Sequence, residues 1–234
     1  MTKNELKSAV IIPARFQSTR FPGKPLAKIA QKTMIQHVYE RASSAHRVTK
    51  VIVATDDYRI AQTVRAFGGT AWMTASTHRS GTERVAEVSR NLQVNLVVNL
   101  QGDEPLIDPA CIDAAIQPFE ADSALMISTL KSSATSQELH DPNVVKVVVD
   151  RQGVALYFSR SPIPYIPKSQ MQRKEKVAFF KHIGLYVYRK EFLEILPNLQ
   201  YSGLEKVEDL EQLRFLENGF RVKVVHHEYK SLAV

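Results

Sequence analysis

The chain has 234 residues, of which 44% are hydrophobic and 24% are charged, a composition typical of one large globular domain or two closely joined ones. No run of about 18 apolar residues occurs, so the sequence predicts no membrane span. Lys and Arg outnumber Asp and Glu by 31 to 24, for a net charge of +7, which favours an anionic partner such as a nucleic acid, a nucleotide or an acidic sugar.

The single cysteine, Cys111, excludes an internal disulfide and a multi-cysteine metal site. The basic amino-terminal stretch is followed by only four consecutive apolar residues, at 9–12, too few for the apolar region of a signal peptide. We therefore expect a cytoplasmic protein whose fold depends on packing.

Short β-branched runs alternate with helical patterns over the first half of the chain. The sequence predicts strands at 9–12, 51–54, 96–100 and 125–130, and helices at 33–44, 58–67, 82–90 and 109–119. Asp108 before Pro109 fits an N-cap and a first helical residue. This alternation predicts an α/β fold with a mostly parallel, doubly wound sheet covered on both faces.

The second half has a mixed pattern. Strands are predicted at 144–149, 154–159 and 180–188, the first two joined by a hairpin turn, so we expect a mixed antiparallel subdomain. One amphipathic helix is predicted at 204–218, capped by Ser202 with Glu205 and ended by Gly219. Its inward positions are Leu204, Val207, Leu210 and Leu213. The basic, proline-containing segment 161–176 is expected to be an exposed excursion.

The loop after the first strand, at 13–25, combines cations with a glycine. Arg15, Arg20 and Lys24 fall within ten residues, and Gly23 allows the backbone to approach a ligand. The loop is not a Walker A motif, because it has one glycine and proline follows Lys24. It indicates a phosphate-binding loop, with a solvated basic loop as the alternative.

The predicted strand at 96–100 runs directly into Gln101, Gly102, Asp103 and Glu104. Ligands of open α/β sheets bind beyond the carboxyl ends of the strands. Asp103 is therefore a candidate Mg²⁺ ligand, because Mg²⁺ prefers carboxylates together with substrate phosphates. A turn residue without a metal is the alternative at this position.

Three other regions of the sequence contain residues with a possible binding role. Ser80 and Gly81 precede a helix and fit a capping box or an anion- or base-binding turn. His182 and Tyr186 share one face of a predicted strand and indicate a cleft, although a lone histidine is more often structural. Glu211 falls near the inward stripe of the last predicted helix, where an unpaired charge is costly.

The sequence lacks several familiar catalytic patterns. It has no metal-spaced His or Cys cluster, no G-x-S-x-G and no G-x-G-x-x-G. These absences argue against zinc hydrolases, α/β-hydrolases and dinucleotide oxidoreductases.

Seven sequence segments occur in one order along the whole chain. They are IIPARFQSTRFPGKPL at 11–26, ATDD at 54–57, SGTER at 80–84, NLQGDEP at 99–105, YFSRSPIP at 157–164, HIGLYVY at 182–188 and LEQLR at 210–214. Together they resemble the 3-deoxy-manno-octulosonate (Kdo) cytidylyltransferase family, the CMP-Kdo synthetases. GKPL alone occurs in other nucleotidyltransferases, but the ordered set is highly specific.

The resemblance implies a nucleotide-diphospho-sugar transferase fold and a Mg²⁺-dependent homodimer. Such enzymes join CTP and Kdo to give CMP-Kdo and pyrophosphate for lipopolysaccharide biosynthesis. We accordingly expect a single domain over 1–234, with a nucleotide-binding half at about 1–130 and a sugar-binding and dimerisation half at about 131–234. Neither nucleic acid nor a membrane is an expected partner.

The resemblance also implies roles for individual residues. Arg15, Arg20 and Lys24 would hold the triphosphate, and Ala14, Ser80 and Gly81 would frame cytosine. Asp103 would bind Mg²⁺ and, with Arg15 and Lys24, form the catalytic group. The sugar acid would be surrounded by Gln101, Arg160, His182, Tyr186, Glu211 and Gln212, with its carboxylate on Arg160.

The family pattern continues with a further metal-binding aspartate after a segment like Ser231-Leu232-Ala233-Val234, where this sequence stops. We expect the sequence to be a truncated or partly ordered product rather than a molecule without that ligand.

Three alternatives stay open at this point. Another sugar acid, such as sialic acid or 8-amino-Kdo, could replace Kdo. A non-catalytic nucleotide sensor would bind CTP without releasing pyrophosphate. A nucleic-acid binder is disfavoured, because aromatic residues are only 8% of the chain and the cations gather at one strand end.

Overall fold

The computed structural model describes residues 6–17, 21–167 and 178–229. The strands are β1 Ser8–Ala14, β2 Lys28–Ile29, β3 Lys32–Thr33, β4 Lys50–Thr55, β5 Ala71–Met73, β6 Leu96–Asn99, β7 Ile127–Ser133, β8 Lys146–Val149, β9 Ala155–Ser159, β10 Phe180–Arg189 and β11 Val222–His226. The α-helices are α1 Met34–Ser43, α2 Tyr58–Ala66, α3 Gly81–Arg90, α4 Pro109–Ile116, α5 Pro118–Ala121, α6 Ser136–His140, α7 Lys190–Ile195, α8 Gly203–Glu208 and α9 Gln212–Glu217. Short 3₁₀ turns lie at Lys24–Leu26 and Leu196–Asn198.

Nine of the described strands form one sheet, in which seven follow the order β11-β7-β10-β6-β1-β4-β5 and β8 and β9 extend from β10. β1 pairs in parallel with β4 on one side and with β6 on the other. The chain thus moves outward from β1 through β4 to β5 and then returns to the opposite side of β1 for β6. This reversal of direction opens a crevice beyond the carboxyl ends of β1 and β6, where α/β sheets bind ligands.

Two apolar layers cover the sheet, as the sequence predicts. Ile35, Ile60 and Cys111, from α1, α2 and α4, pack in one layer, and Val85 of α3 and Phe215 of α9 pack in the other. Burial of these side chains is the main stabilising contribution to such a fold. In the described ranges, no helix combines the length and the hydropathy needed to cross a bilayer.

The mixed second half is confirmed. β10 runs antiparallel to both β6 and β7, and β8 pairs antiparallel with β9 across the predicted turn. β10 has a register shift between Ile183 and Tyr186, but its two predicted faces are retained. One face contributes Tyr186 and Tyr188 to one layer, while Ile183, Leu185 and Val187 join the other.

The prediction of a single helix at 204–218 is wrong. The structure has α8 and α9 instead, separated by Asp209 in a left-handed conformation with φ of 53°. Leu204 and Val207 are 39% and 84% exposed, whereas the predicted inward positions Leu210 and Leu213 are buried. Contacts from β9 hold this break, so tertiary structure overrides the helical period.

The helix predicted at 109–119 also divides, because Pro118 begins α5 after Gln117. Asp108 caps α4, its side chain accepting a hydrogen bond from the Ala110 amide, as the sequence predicts.

Candidate active site

The loops that follow β1 and β6 meet through an ion pair. Lys24 Nζ lies 2.9 Å from Asp103 Oδ2, although the two residues are 79 positions apart. The side chains are 24% and 45% exposed, so both are open to a ligand. The loop predicted to bind phosphate and the carboxylate predicted to bind Mg²⁺ therefore lie side by side.

The base of the first loop is held by a backbone bond and by packing on Phe16. The Gly23 amide donates to the Phe16 carbonyl at 2.8 Å, and Gly23 has φ of 74°, a conformation that favours glycine. A Cβ atom at Gly23 would lie 3.0 Å from the Phe16 ring. The Arg59 guanidinium lies 3.4 Å from the centroid of that ring. These contacts fix the start of the Lys24–Leu26 turn, and hence Lys24.

A small cavity of about 90 Å³ lies beside this loop. It is lined by Pro13, Ala14, Arg15, His78, Ser80, Gly81, Arg84 and Gln101. A Cβ atom at Gly81 would approach the Pro13 ring to 3.2 Å, so a larger residue would push α3 away from β1. The structure therefore brings together five of the residues singled out from the sequence: Ala14, Arg15, Ser80, Gly81 and Gln101.

A larger cavity of about 870 Å³ adjoins it and shares Arg15, His78 and Arg84 with it. Arg84 is buried, and its guanidinium donates to Asp56 Oδ2 at 2.9 Å and to the Thr74 hydroxyl. This pair ties the amino-terminal part of α3 to the carboxyl end of β4. Asp56 lies in the segment ATDD and Arg84 in SGTER, but the sequence alone indicates no role for either.

Glu211 connects α9 to the amino-terminal turn of α3. Its carboxylate accepts hydrogen bonds from Ser80 Oγ at 3.2 Å and from Thr82 Oγ1, and Arg214 lies 3.9 Å away. Burial raises the pKa of the Glu211 carboxyl, and the Thr82 hydrogen bond acts in the opposite direction. The Glu211 carboxylate, which the sequence placed near the inward apolar face of the last predicted helix, is thus paired with hydroxyl donors.

His182 and Tyr186 lie side by side on β10, with ring centroids 5.3 Å apart. His182 Nε2 is 2.9 Å from Thr129 Oγ1, and burial lowers the pKa of His182 to about 3, so the imidazole is neutral at physiological pH. The Tyr186 hydroxyl is buried and has no hydrogen-bond partner in the described structure. Burial raises its pKa, with a further contribution from Glu211.

Arg160 is engaged with the break between α8 and α9. Its side chain donates to the carbonyls of Glu208 at 2.8 Å, Pro142 at 3.0 Å and Asp209 at 3.2 Å, and the Glu208 carboxylate accepts from the Arg160 amide. The break lies immediately before Glu211 and Gln212, and Gln212 is buried at the start of α9. Arg160 therefore anchors the segment that carries these two residues.

Asp103 suits Mg²⁺ when substrate phosphates supply further ligands. Among the described residues, no group of three or more His, Cys, Asp or Glu side chains could hold a metal ion. One half-exposed carboxylate at a strand end matches the usual protein contribution to a Mg²⁺–nucleotide site. Lys24 beside it would contribute positive charge to the same phosphates.

Comparison with known proteins identifies the family. The cytidylyltransferase family model matches residues 9–225. The 3-deoxy-manno-octulosonate cytidylyltransferase of Geobacter metallireducens is 52% identical, covering 98% of this chain and 93% of that protein, and that of Geotalea daltonii is 54% identical with the same coverage. The chain belongs to the 3-deoxy-manno-octulosonate cytidylyltransferase family.

A solved structure of a CMP:2-keto-3-deoxy-manno-octonic acid synthetase complexed with CTP is similar to this cytidylyltransferase, with a TM-score of 0.91 and 43% identity. It covers 97% of this chain, and this chain covers 93% of it. The resemblance stated from seven segments and the predicted fold class are both confirmed.

Three of the sequence-based assignments lie wholly or partly outside the described residues: Arg20, positions 168–176 of the predicted excursion, and the terminal segment 231–234. Two residues that the sequence did not single out, Thr82 and Asn99, are buried and hydrogen-bonded to the candidate residues Glu211 and Gln101. Both occur in the quoted segments SGTER and NLQGDEP, but their partners become visible only when α3, β6 and α9 are packed together.

Proposed function

We propose that the chain transfers CMP from CTP to 3-deoxy-D-manno-octulosonate, giving CMP-Kdo and pyrophosphate for lipopolysaccharide biosynthesis. The observation that carries the proposal is the Lys24–Asp103 pair beyond β1 and β6, at the point where the sheet reverses direction. The CTP complex and the names of the relatives support the choice of substrates.

Lys24 and Arg15 are proposed to hold the triphosphate, together with Arg20. Arg15 is exposed and lines both cavities, so its guanidinium is available to phosphate oxygens. Charge-assisted hydrogen bonds of this kind contribute about 1.5 to 3 kcal/mol each. Ala14, Ser80 and Gly81 line the small cavity and are proposed to frame the cytosine ring.

Mg²⁺ is proposed to be held by Asp103 and by the phosphates of CTP. When bound, the ion would neutralise charge on the phosphoryl group and on the departing pyrophosphate. Lys24 lies beside the same carboxylate and contributes a second positive charge there.

The sugar acid is proposed to bind among Gln101, Arg160, His182, Tyr186, Glu211 and Gln212. The neutral His182 supplies hydrogen bonding rather than charge, and the unpartnered Tyr186 hydroxyl is a candidate donor. The C2 hydroxyl would form a bond to the α-phosphorus as the bond to pyrophosphate breaks, and the hydroxyl proton would pass to solvent. No protein nucleophile is needed, so the residues act by positioning and by charge stabilisation.

Incubation of the chain with CTP, Mg²⁺ and a panel of sugar acids tests this function. Pyrophosphate release should be fastest with Kdo and slower with 8-amino-Kdo and sialic acid. Asp103→Asn should abolish Mg²⁺-dependent turnover while leaving the unfolding temperature within a few degrees of the wild type, because the side chain is half exposed.

Fastest turnover with another sugar acid would reassign the substrate. CTP binding without pyrophosphate release would favour the nucleotide sensor. A near-normal rate for Asp103→Asn would remove Asp103 from the proposed metal site.

Arg160→Ala provides a separate test of the sugar-binding half. If Arg160 receives the sugar carboxylate or anchors Glu211 and Gln212, the KM for the sugar acid should rise by about tenfold, the equivalent of 1.4 kcal/mol, and by more than the KM for CTP. Steady-state kinetics with each substrate varied in turn measure both constants. Equal increases would contradict a role specific to the sugar acid.

A homodimer formed through the second half is the proposed assembly. Leu156, Tyr165 and Val207 are exposed apolar side chains of this half, and such side chains are a feature of protein–protein interfaces. Light scattering should give twice the 26.4 kDa chain mass; the mass of one chain at micromolar concentration would overturn this assembly. The cytoplasmic location stays a prediction.

A further inference from the structure

A line of hydrogen bonds joins Gln101 to Glu211 through two residues that have no assigned role. Gln101 Nε2 donates to Asn99 Oδ1 at 3.3 Å, and Asn99 Nδ2 donates to Thr82 Oγ1 at 3.3 Å. Thr82 Oγ1 then donates to Glu211 Oε2. The line crosses from the end of β6 through the first turn of α3 to the start of α9.

In its ionised form, the carboxylate of Glu211 fixes the direction of every bond in this line. A carboxylate only accepts, so Thr82 must direct its single hydroxyl proton to Glu211. The Thr82 oxygen is then left as an acceptor, which turns the amide nitrogen of Asn99 toward it. The Asn99 carbonyl in consequence faces Gln101 and accepts from its amide nitrogen.

Because these groups are buried, reversing the donor and acceptor roles along the line would be costly. Asn99 is 2% exposed and Thr82 is 4% exposed, so water is a poor substitute for either partner. A buried polar group that loses its hydrogen bond costs about 1 to 3 kcal/mol. Through Thr82 and Asn99, the Glu211 carboxylate therefore determines the orientation of the Gln101 side-chain amide.

We propose that Thr82 and Asn99 are positioning residues that use the Glu211 carboxylate to hold Gln101 with its amide nitrogen inward and its carbonyl oxygen available to hydroxyl donors of the substrate. Gln101 lines the small cavity beside Arg15 and Ser80, and the Ser80–Glu211 bond places the proposed cytosine and sugar-acid sites next to each other there. A polyhydroxylated sugar acid supplies donors of this kind. The inference rests on the proposed function, because it takes the sugar acid as the ligand of Gln101.

Thr82→Val and Thr82→Ser form the central comparison, since valine keeps the shape and removes the hydroxyl, while serine keeps the hydroxyl. Thr82→Val should raise the KM for the sugar acid by about tenfold with less than a twofold change in the KM for CTP. Thr82→Ser should restore the sugar KM to within about threefold of the wild type. Equal sugar KM values for the two variants would overturn the proposal.

Ser89→Ala is the matched control for loss of a buried hydroxyl in α3. Ser89 is fully buried and donates to the Ala86 carbonyl within the same helix, and no hydrogen bond between the described residues links its side chain to Gln101. Its sugar KM should stay within twofold of the wild type. A rise matching that of Thr82→Val would show that the helix is merely sensitive to packing and would refute the inference.

A double-mutant cycle tests whether Thr82 acts through Gln101. In a Gln101→Ala background, Thr82→Val should change the sugar KM by less than about twofold, because the group that it positions is gone. Full additivity of the two substitutions would contradict the proposal. Absence of wild-type turnover would instead count against the proposed function, so the two failures are distinguishable.

The pH profile gives a readout that simple packing would not change. The Thr82 bond stabilises the charged form of Glu211 and lowers its pKa against the effect of burial. Loss of this hydrogen bond should raise the pKa of Glu211. The acid limb of the pH profile of kcat/KM for the sugar acid should then move to higher pH in Thr82→Val but not in Thr82→Ser. Glu211 also interacts with Arg214, Glu205, Tyr186 and Tyr188, and these four residues are unchanged in both variants. An acid limb that does not shift in Thr82→Val would therefore contradict the inference.

Discussion

The ion pair between Lys24 and Asp103 is the contact on which the rest of the site depends. It joins the loops after β1 and β6 across the crevice where the sheet reverses direction. One partner is suited to phosphate and the other to a divalent ion, so a metal–polyphosphate complex satisfies both charges at once. The Phe16, Gly23 and Arg59 contacts place Lys24, while β6 places Asp103.

Glu211 has a comparable role between the two halves of the chain. It belongs to the carboxyl-terminal half, yet its carboxylate is bonded to Ser80 and Thr82 beside the small cavity. The segment that carries it is itself held by Arg160, which directly follows β9. The proposed sugar site is thus built from side chains whose positions depend on one another. A substitution at one of them is therefore expected to displace the others.

Residues with a strong local signal could be predicted from the sequence, including the strands around Val10 and Val98, the Asp108 cap and the loop of Lys24. The break at Asp209 could not be predicted, because contacts such as that of Ser159 on β9 with Glu208 override a regular apolar period there. The roles of Thr82 and Asn99 were equally hidden, since a hydroxyl and an amide acquire direction only from their buried partners. Motif order identified the family where periodicity alone indicated only an α/β fold.

A crystal structure of the chain with CTP and Mg²⁺ is the most direct test of the central claim. We expect a phosphate oxygen at roughly 3 Å from Lys24 Nζ, a hydrogen-bonding distance, and the divalent ion on the Asp103 carboxylate. Triphosphate density elsewhere, with Lys24 and Asp103 still paired to each other, would contradict the account.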